Sequence, residues 1–336
     1  MKTVICEAPQ SLGVGERSKP QHSEGQVLIR IRRVGLCGTD YHIFAGDQPF
    51  LAYPRVMGHE LAGTVAATDP DSPFREGDLV TVNPYLPCGR CIACRKGKPN
   101  CCVDIQVLGV HIDGGMTEYL SVPKDAVISV SDLTLDQAAM VEFLAIGAHA
   151  VRRGDTQIGD RALIVGAGPI GVATALFVAM SGAEVTLTDT SEERLNHARN
   201  KVGIPHTAVV DDRLEDYFRQ RTHGEFFDVV FDCTGSAKAI EKGFGYVAHG
   251  GRYVLVSVVK NDISFSDPEF HKREMQLIGS RNATNEDFLR VINAISEGLI
   301  PTDALKTHSF ALFDLPQVIP DLIANQGSVL KAIAEL

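Results

Sequence analysis

Five cysteines fall within sixteen positions of PCGRCIACRKGKPNCC, residues 87–102. Cys88, Cys91 and Cys94 recur at three-residue intervals, and Cys102 follows after a gap of seven. In a reducing compartment, thiols this close favour a metal over a disulfide. Four thiolates around one Zn2+ make a closed tetrahedral site with no position open to substrate, so a structural zinc is expected here. Cys101 is left out, because the seven-residue gap points to Cys102.

The chemistry is expected elsewhere. Cys37 stands in VGLCGTDYH, His59 and Glu60 in YPRVMGHELAG, and Glu142 in AAMVEFLAIGAHA. Cysteine, histidine and carboxylate together suit zinc, and three protein ligands with one open position make a catalytic site. Any one of the four alone would read as a core or capping residue. Their joint presence beside the cysteine lobe and a nucleotide motif argues for a second metal.

That motif is Gly166-Ala-Gly168-Pro169-Ile170-Gly171. It follows an apolar run, opens another, and is followed by EVTLTD, which ends in Asp189, 18 residues beyond Gly171. Gly166 permits the tight turn, Gly168 lets the backbone approach a pyrophosphate, and Gly171 lets helix and strand pack closely. The helix N-terminus offers N–H groups to the phosphate. Asp189 would accept from ribose hydroxyls and repel a 2′-phosphate, which favours NAD over NADP. Arg194, in SEERL, is the residue that could soften that preference.

These residues need a scaffold. At 336 residues the chain predicts two domains. Up to about residue 140, short β-like runs separated by Gly, Pro and Asp (VLIRIRRV, LAGTVAAT, DLVTVNPY, TEYLSV) predict an all-β body. From about residue 143 strands alternate with helices near 170–181 and 191–202, ending in FDVVFDCTG, GRYVLVSVV and QLIGS; this rhythm builds a doubly wound parallel sheet. A helix near 285–298 follows, then HSFAL and a helical stretch ending in VLKAIAEL. The fold class is therefore α/β.

Residues 162–183 carry no charge across 22 positions, long enough to span a bilayer. Gly166, Gly168, Pro169 and Gly171 interrupt the first half, so a strand, a glycine turn and a buried helix fit better. MKTVICEAPQ has no apolar segment of a secretory signal, and a cytoplasmic protein is expected. A net charge of −10 without long basic runs argues against a nucleic-acid surface.

CGTDYH, GHE, the four-cysteine lobe, GAGPIG and DCTG occur in one order along the chain. In this the sequence resembles the zinc-dependent medium-chain dehydrogenase/reductase family over nearly its whole length. The resemblance implies a GroES-like β domain over residues 1–142 carrying both zincs. It also implies a Rossmann domain over 143–282 and a C-terminal return to the first domain over 283–336. It implies Cys37, His59 and Glu60 on the catalytic zinc, with Glu142 on the metal directly or through its water. Thr39 matches the family's hydroxyl relay and His42 the histidine that hands the proton to solvent. Cys233 and Thr234 of DCTG, with Val256 and Ser257, would join the NAD site. The resemblance further implies a homo-oligomer, dimer or tetramer, built by sheet continuation.

Within the family the chain looks like the polyol and sugar-acid branch, where an arginine lies near the substrate; Arg281 and Asn282 of SRNAT stand at that point. A guanidinium there would suit a carboxylate or a row of hydroxyls. NPYLPCGRC, GVHIDGGMTEYLSVP and SDPEFHKRE…GSRNAT look like the bacterial hexonate 5-dehydrogenases and starvation-sensing dehydrogenases. The resemblance implies oxidation of an L-hexonate at C5, first L-gulonate to D-fructuronate. The alternatives are L-galactonate to D-tagaturonate, a sorbitol- or galactitol-type polyol, or L-threonine. A catalytically silent NAD- and zinc-binding sensor is the reading of a different class.

Overall fold

The computed structural model describes residues 1–48 and 51–336. The chain folds as two compact units, Met1–Phe143 together with Ala283–Leu336, and Leu144–Asn282.

The first unit is built on a seven-stranded sheet in the order Lys306–Ala311, Lys331–Glu335, Gln26–Gly35, Glu60–Ala67, Leu79–Val82, Val127–Ser129, with Tyr119–Pro123 also paired to Gln26–Gly35. Gln26–Gly35 is the hub: it pairs antiparallel with three neighbours. Val27, Leu28, Ile29, Ile31 and Val34 on it are buried while Arg30 is exposed, as an apolar strand in mid-sheet requires.

The structure departs from the sequence expectations here in three places. The first unit is not all-β: helices Gly38–Ala45 and Leu135–Ala139 are set among its strands. DLVTVNPY is not one strand. It ends at Val82, and Tyr85–Leu86 pairs separately with Gln106–Val107, because Pro84 has no N–H to continue a ladder. VLKAIAEL is not helical either. Lys331–Glu335 is a strand inserted between Lys306–Ala311 and Gln26–Gly35, and burial of Ala332, Ile333 and Ala334 in that ladder overrides the helix propensity of Ala, Leu and Glu.

The second unit is a six-stranded, all-parallel sheet in the order Thr207–Val209, Glu184–Asp189, Arg161–Val165, Phe227–Asp232, Val247–Leu255, Gln276–Gly279. Numbered within the unit this is 3-2-1-4-5-6, the Rossmann order, whose chain reversal lies between Arg161–Val165 and Phe227–Asp232. The uncharged stretch from residue 162 resolves into the strand, the glycine turn and the helix Pro169–Met180. Among the described residues no helix is long and apolar enough to cross a membrane. The helix expected near 191–202 is α-helical over Glu192–His197 and continues as a π-turn over Ala198–Val202.

Candidate active site

Cys37 caps the N-terminus of helix Gly38–Ala45, two residues beyond the hub strand. Glu60 begins the adjacent strand, with His59 just before it and Gly58 in the left-handed conformation at φ 92° preceding both. Asp40 ties the two loops together: its Oδ2 accepts from the Cys37 N–H at 2.9 Å and its Oδ1 from the Gly58 N–H at 3.3 Å. Across the ladder Gly35 stands opposite Glu60. A Cβ at Gly35 would come 2.1 Å from Glu60 Oε2, so glycine leaves the room that carboxylate occupies.

Ligand atoms of Cys37, His59 and Glu60 all lie within 4.8 Å of one another. Ligands bound about 2.0–2.3 Å from one tetrahedral zinc stand about 3.3–3.8 Å apart, so the three groups are close enough to share one ion after local adjustment. His59 Nδ1 is buried without a hydrogen-bond partner. Glu142 falls outside this three-residue set. It lies in the first turn of the helix Val141–Arg153, and the Tyr85 hydroxyl donates to its Oε1 between two buried side chains. Lys331 Nζ reaches Glu60 Oε1 at 2.6 Å and Oε2 at 2.7 Å.

Charge tests the fit. Asp40, Glu60 and Glu142 are buried with Cys37 beside them, while Lys331 is the one buried Lys or Arg side chain among the described residues. Buried charges need compensation. A divalent cation supplies most of what four acids and one ammonium lack, and the sulfur, imidazole and carboxylate donors suit zinc. Burial raises Glu142 to about 7, with the Glu60 charge adding to it against the pull of His59. Burial also presses His59 down, yet Cys37, Asp40 and Glu142 around it lift it well above the ordinary histidine range. Burial holds Asp40 above the usual carboxylate range.

In the lobe the ligand atoms of Cys88, Cys91, Cys94 and Cys102 likewise lie within 4.8 Å of one another. Cys91 Sγ is 3.5 Å from Cys94 Sγ and 3.9 Å from Cys102 Sγ, and all four are free thiols. Backbone N–H groups of Cys94 and Val103 pull the Cys91 thiol down to about 6, while burial and the neighbouring Cys91 and Cys102 thiols push Cys94 up to about 12. The four thiols fit a structural zinc. Cys101 is exposed and outside the set.

In the second unit the glycine turn lies at the chain reversal. Gly166 has φ 102°, and a Cβ there would meet the Cys233 carbonyl at 3.0 Å; one at Gly171 would strike the Gly166 carbonyl at 1.7 Å. Gly168 caps the helix that begins Pro169-Ile170, with open space where its Cβ would be. Asp189 Oδ2 accepts from the Ala167 N–H at 2.6 Å and Oδ1 from the Ser191 N–H at 2.8 Å. The carboxylate thus braces the turn itself, which the sequence reading did not foresee. Arg194 follows on the next helix, its N–H bonded to Ser191 Oγ. Cys233, Thr234, Val256 and Ser257 gather around Asp232: Thr234 and Ser257 hydroxyls donate to its carboxylate, and the Val256 and Ser257 N–H groups to its carbonyl.

Thr39, half-buried, and exposed His42 are one turn apart on helix Gly38–Ala45. Arg281 is exposed beyond the last parallel strand, and Asn282 takes the left-handed conformation at φ 55°. Sequence reasoning missed Asp40, Tyr85 and Lys331. A lone lysine inside the apolar run VLKAIAEL was the one available signal.

Two family models match: the alcohol dehydrogenase GroES-like domain over residues 23–132 and the zinc-binding dehydrogenase over residues 169–297. The chain is 39% identical to the L-galactonate-5-dehydrogenase of Escherichia coli K12, across 99% of this chain and 98% of that protein. Sorbitol dehydrogenase of Bacillus subtilis is 29% identical across 99% and 96%. Among solved structures, the rspB alcohol dehydrogenase of E. coli CFT073, complexed with NADH, superposes at a TM-score of 0.94 with 29% identity, covering 100% of this chain and 99% of that one. L-idonate 5-dehydrogenase of E. coli K-12 does so at 0.91 with 25% identity, covering 100% and 98%. With both zinc sites fitted by residues the fold brings together, the chain belongs to the zinc-dependent medium-chain dehydrogenase/reductase family, in its polyol and sugar-acid branch.

Proposed function

We propose that this protein oxidises the C5 hydroxyl of an L-hexonate with NAD. The reading is carried by the convergence of Cys37, His59 and Glu60, in a chain similar from end to end to an L-galactonate-5-dehydrogenase. That relative puts L-galactonate first among substrates to test and its epimer L-gulonate, the first expectation from the sequence, second. Bound zinc would supply Lewis acidity that lowers a hydroxyl's pKa, and NAD the hydride acceptor.

The chain's own residues do the rest. Cys37, His59 and Glu60 hold the metal, and Asp40 braces the backbone at Cys37 and at Gly58, next to His59. Thr39 and His42, on one helix face, carry the hydroxyl proton to solvent, an aid worth about 10²–10⁴-fold. The glycine turn and Asp189 seat the coenzyme, with Cys233, Thr234, Val256 and Ser257 beside it. Arg281 pairs with the substrate carboxylate and Asn282 with a hydroxyl. The enzyme works in the cytoplasm as a dimer or tetramer.

The test is NADH formation by the zinc-loaded protein across L-galactonate, L-gulonate, other hexonates, pentitols, hexitols and L-threonine. Turnover of a hexonate is expected, falling by at least about tenfold in kcat/KM for Arg281→Ala, since a charged hydrogen bond is worth about 1.5–3 kcal/mol. Reaction with uncharged polyols alone overturns the sugar-acid assignment.

A further inference from the structure

Two carboxylates, Glu60 and Glu142, are buried near the candidate metal, and the protein treats them differently. Glu60 has a cationic partner: both its oxygens lie against Lys331. Glu142 has a neutral one, the Tyr85 hydroxyl. Glu60 belongs to the ligand set and Glu142 does not. We propose that Tyr85 is a positioning residue: by holding Oε1 of Glu142 it keeps that side chain beside the metal's ligand set and out of it. This rests on the dehydrogenase reading above and names a residue that reading does not use.

The placement of Tyr85 supports the role. Its backbone is pinned on both sides of the side chain's origin. It pairs antiparallel with Val107, and its N–H donates to Asn83 Oδ1 at 3.1 Å. Only 8% of its surface is exposed, so the phenol points from a fixed strand into a packed interior. Glu142 is just as confined, at 3% exposure in the first turn of a thirteen-residue helix. The contact joins segments 57 residues apart in sequence, so it is a tertiary choice and no local accident.

The chemistry of a carboxylate explains why the contact matters. An ionised carboxylate only accepts, and each oxygen has limited lone pairs. Holding Oε1 on the Tyr85 hydroxyl fixes where that carboxylate sits, and Glu142 so held lies outside the ligand set. Without the hydroxyl, Oε1 would be a buried acceptor with no donor, and a metal ion would be the strongest partner within reach. Tyr85 would therefore set the ligand number of the metal at three protein groups, leaving the remaining position to substrate. Groups that orient a metal site from outside it in this way commonly matter by about 10–100-fold in metal affinity or activity.

The experiment replaces zinc with cobalt(II) in the full-length protein and records the visible spectrum, subtracting that of Cys37→Ser to remove the contribution of the cysteine lobe. Tyr85→Phe, which keeps the ring, is expected to change the cobalt bands and to slow chelator removal of the Cys37-site metal. It should also lower kcat by about tenfold with little change in KM, the scale usual for such groups. Glu142→Gln is expected to leave the cobalt bands as in the parent, because Glu142 is not a ligand, and in the double variant Tyr85→Phe should have no further effect on them. Parent-like bands and metal release in Tyr85→Phe overturn the proposal. So do altered bands in Glu142→Gln, a result that stands even where Tyr85→Phe fails to fold. A parent protein that turns over no hexonate refutes the substrate reading and leaves the cobalt comparison intact.

Discussion

Lys331 and Glu60 form an ion pair buried on both sides, with 1% and 0% of their side chains exposed. The ammonium also donates to the Leu36 carbonyl at 3.0 Å and lies 4.3 Å from the centre of the Phe143 ring. The last strand of the chain thereby reaches into the site formed by its first sixty residues. Removing one member of such a pair leaves an uncompensated buried charge, which costs about 3–5 kcal/mol. Lys331→Met is expected to lose that much in urea unfolding of the metal-depleted protein. The double variant Glu60→Gln/Lys331→Met should lose clearly less, and equal losses would show that the ammonium packs without pairing.

Metal content separates the two sites. About two zinc ions per chain are expected by elemental analysis, one for each set of donors that fits zinc. Cys37→Ser should lower the count by one and abolish turnover. Cys94→Ser should also lower it by one, with its main loss in thermal stability. Turnover surviving Cys37→Ser at an unchanged count would refute the assignment of the chemistry to that site.

Asp189 has two jobs, so its loss should have two signatures. It braces the glycine turn through Ala167 and is the last residue of its strand, the position from which an acid can reach a ribose. Losing one charged hydrogen bond, worth about 1.5–3 kcal/mol, corresponds to about 10–100-fold in affinity. Asp189→Ala is expected to raise the KM for NAD by that factor with a smaller effect on kcat, and to narrow the preference over NADP. Steady-state kinetics with both coenzymes decide it; an unchanged NAD KM would rule out a ribose contact.

Acid should loosen the first unit. Burial alone would raise Asp136, but Lys306 at 2.6 Å and Arg33 at 2.7 Å hold it below the usual range. Ser309 with Arg33 and Lys306 does the same for Glu335. Acids depressed in the folded state add stability above their unfolded pKa values, about 3.9 and 4.3, and lose it as pH falls through the folded values. Urea midpoints are expected to be level above about pH 5 and to fall below about pH 4. Asp136→Asn should flatten part of that fall. A parallel fall in the variant would place the acid sensitivity elsewhere.

How far the sequence could be read depended on how local each signal was. The glycine turn, the strand before it and Asp189 after it lie within about thirty residues, and each residue type is forced by sterics or charge at that spot, so composition and spacing sufficed. The same holds for the lobe, where four thiols within fifteen positions have few other uses. Cys37, His59 and Glu60 were visible as ligand types, but only the pairing of Gln26–Gly35 with Glu60–Ala67 shows that they meet. What stayed hidden was the company these residues keep. Nothing near Tyr85 in sequence names Glu142 as its partner, and VLKAIAEL carries the local propensity of a helix while it folds as a strand. Residue type is a property of the chain, but the partner of a buried charge is decided by which distant strands share a sheet, because desolvation makes only the completed network affordable.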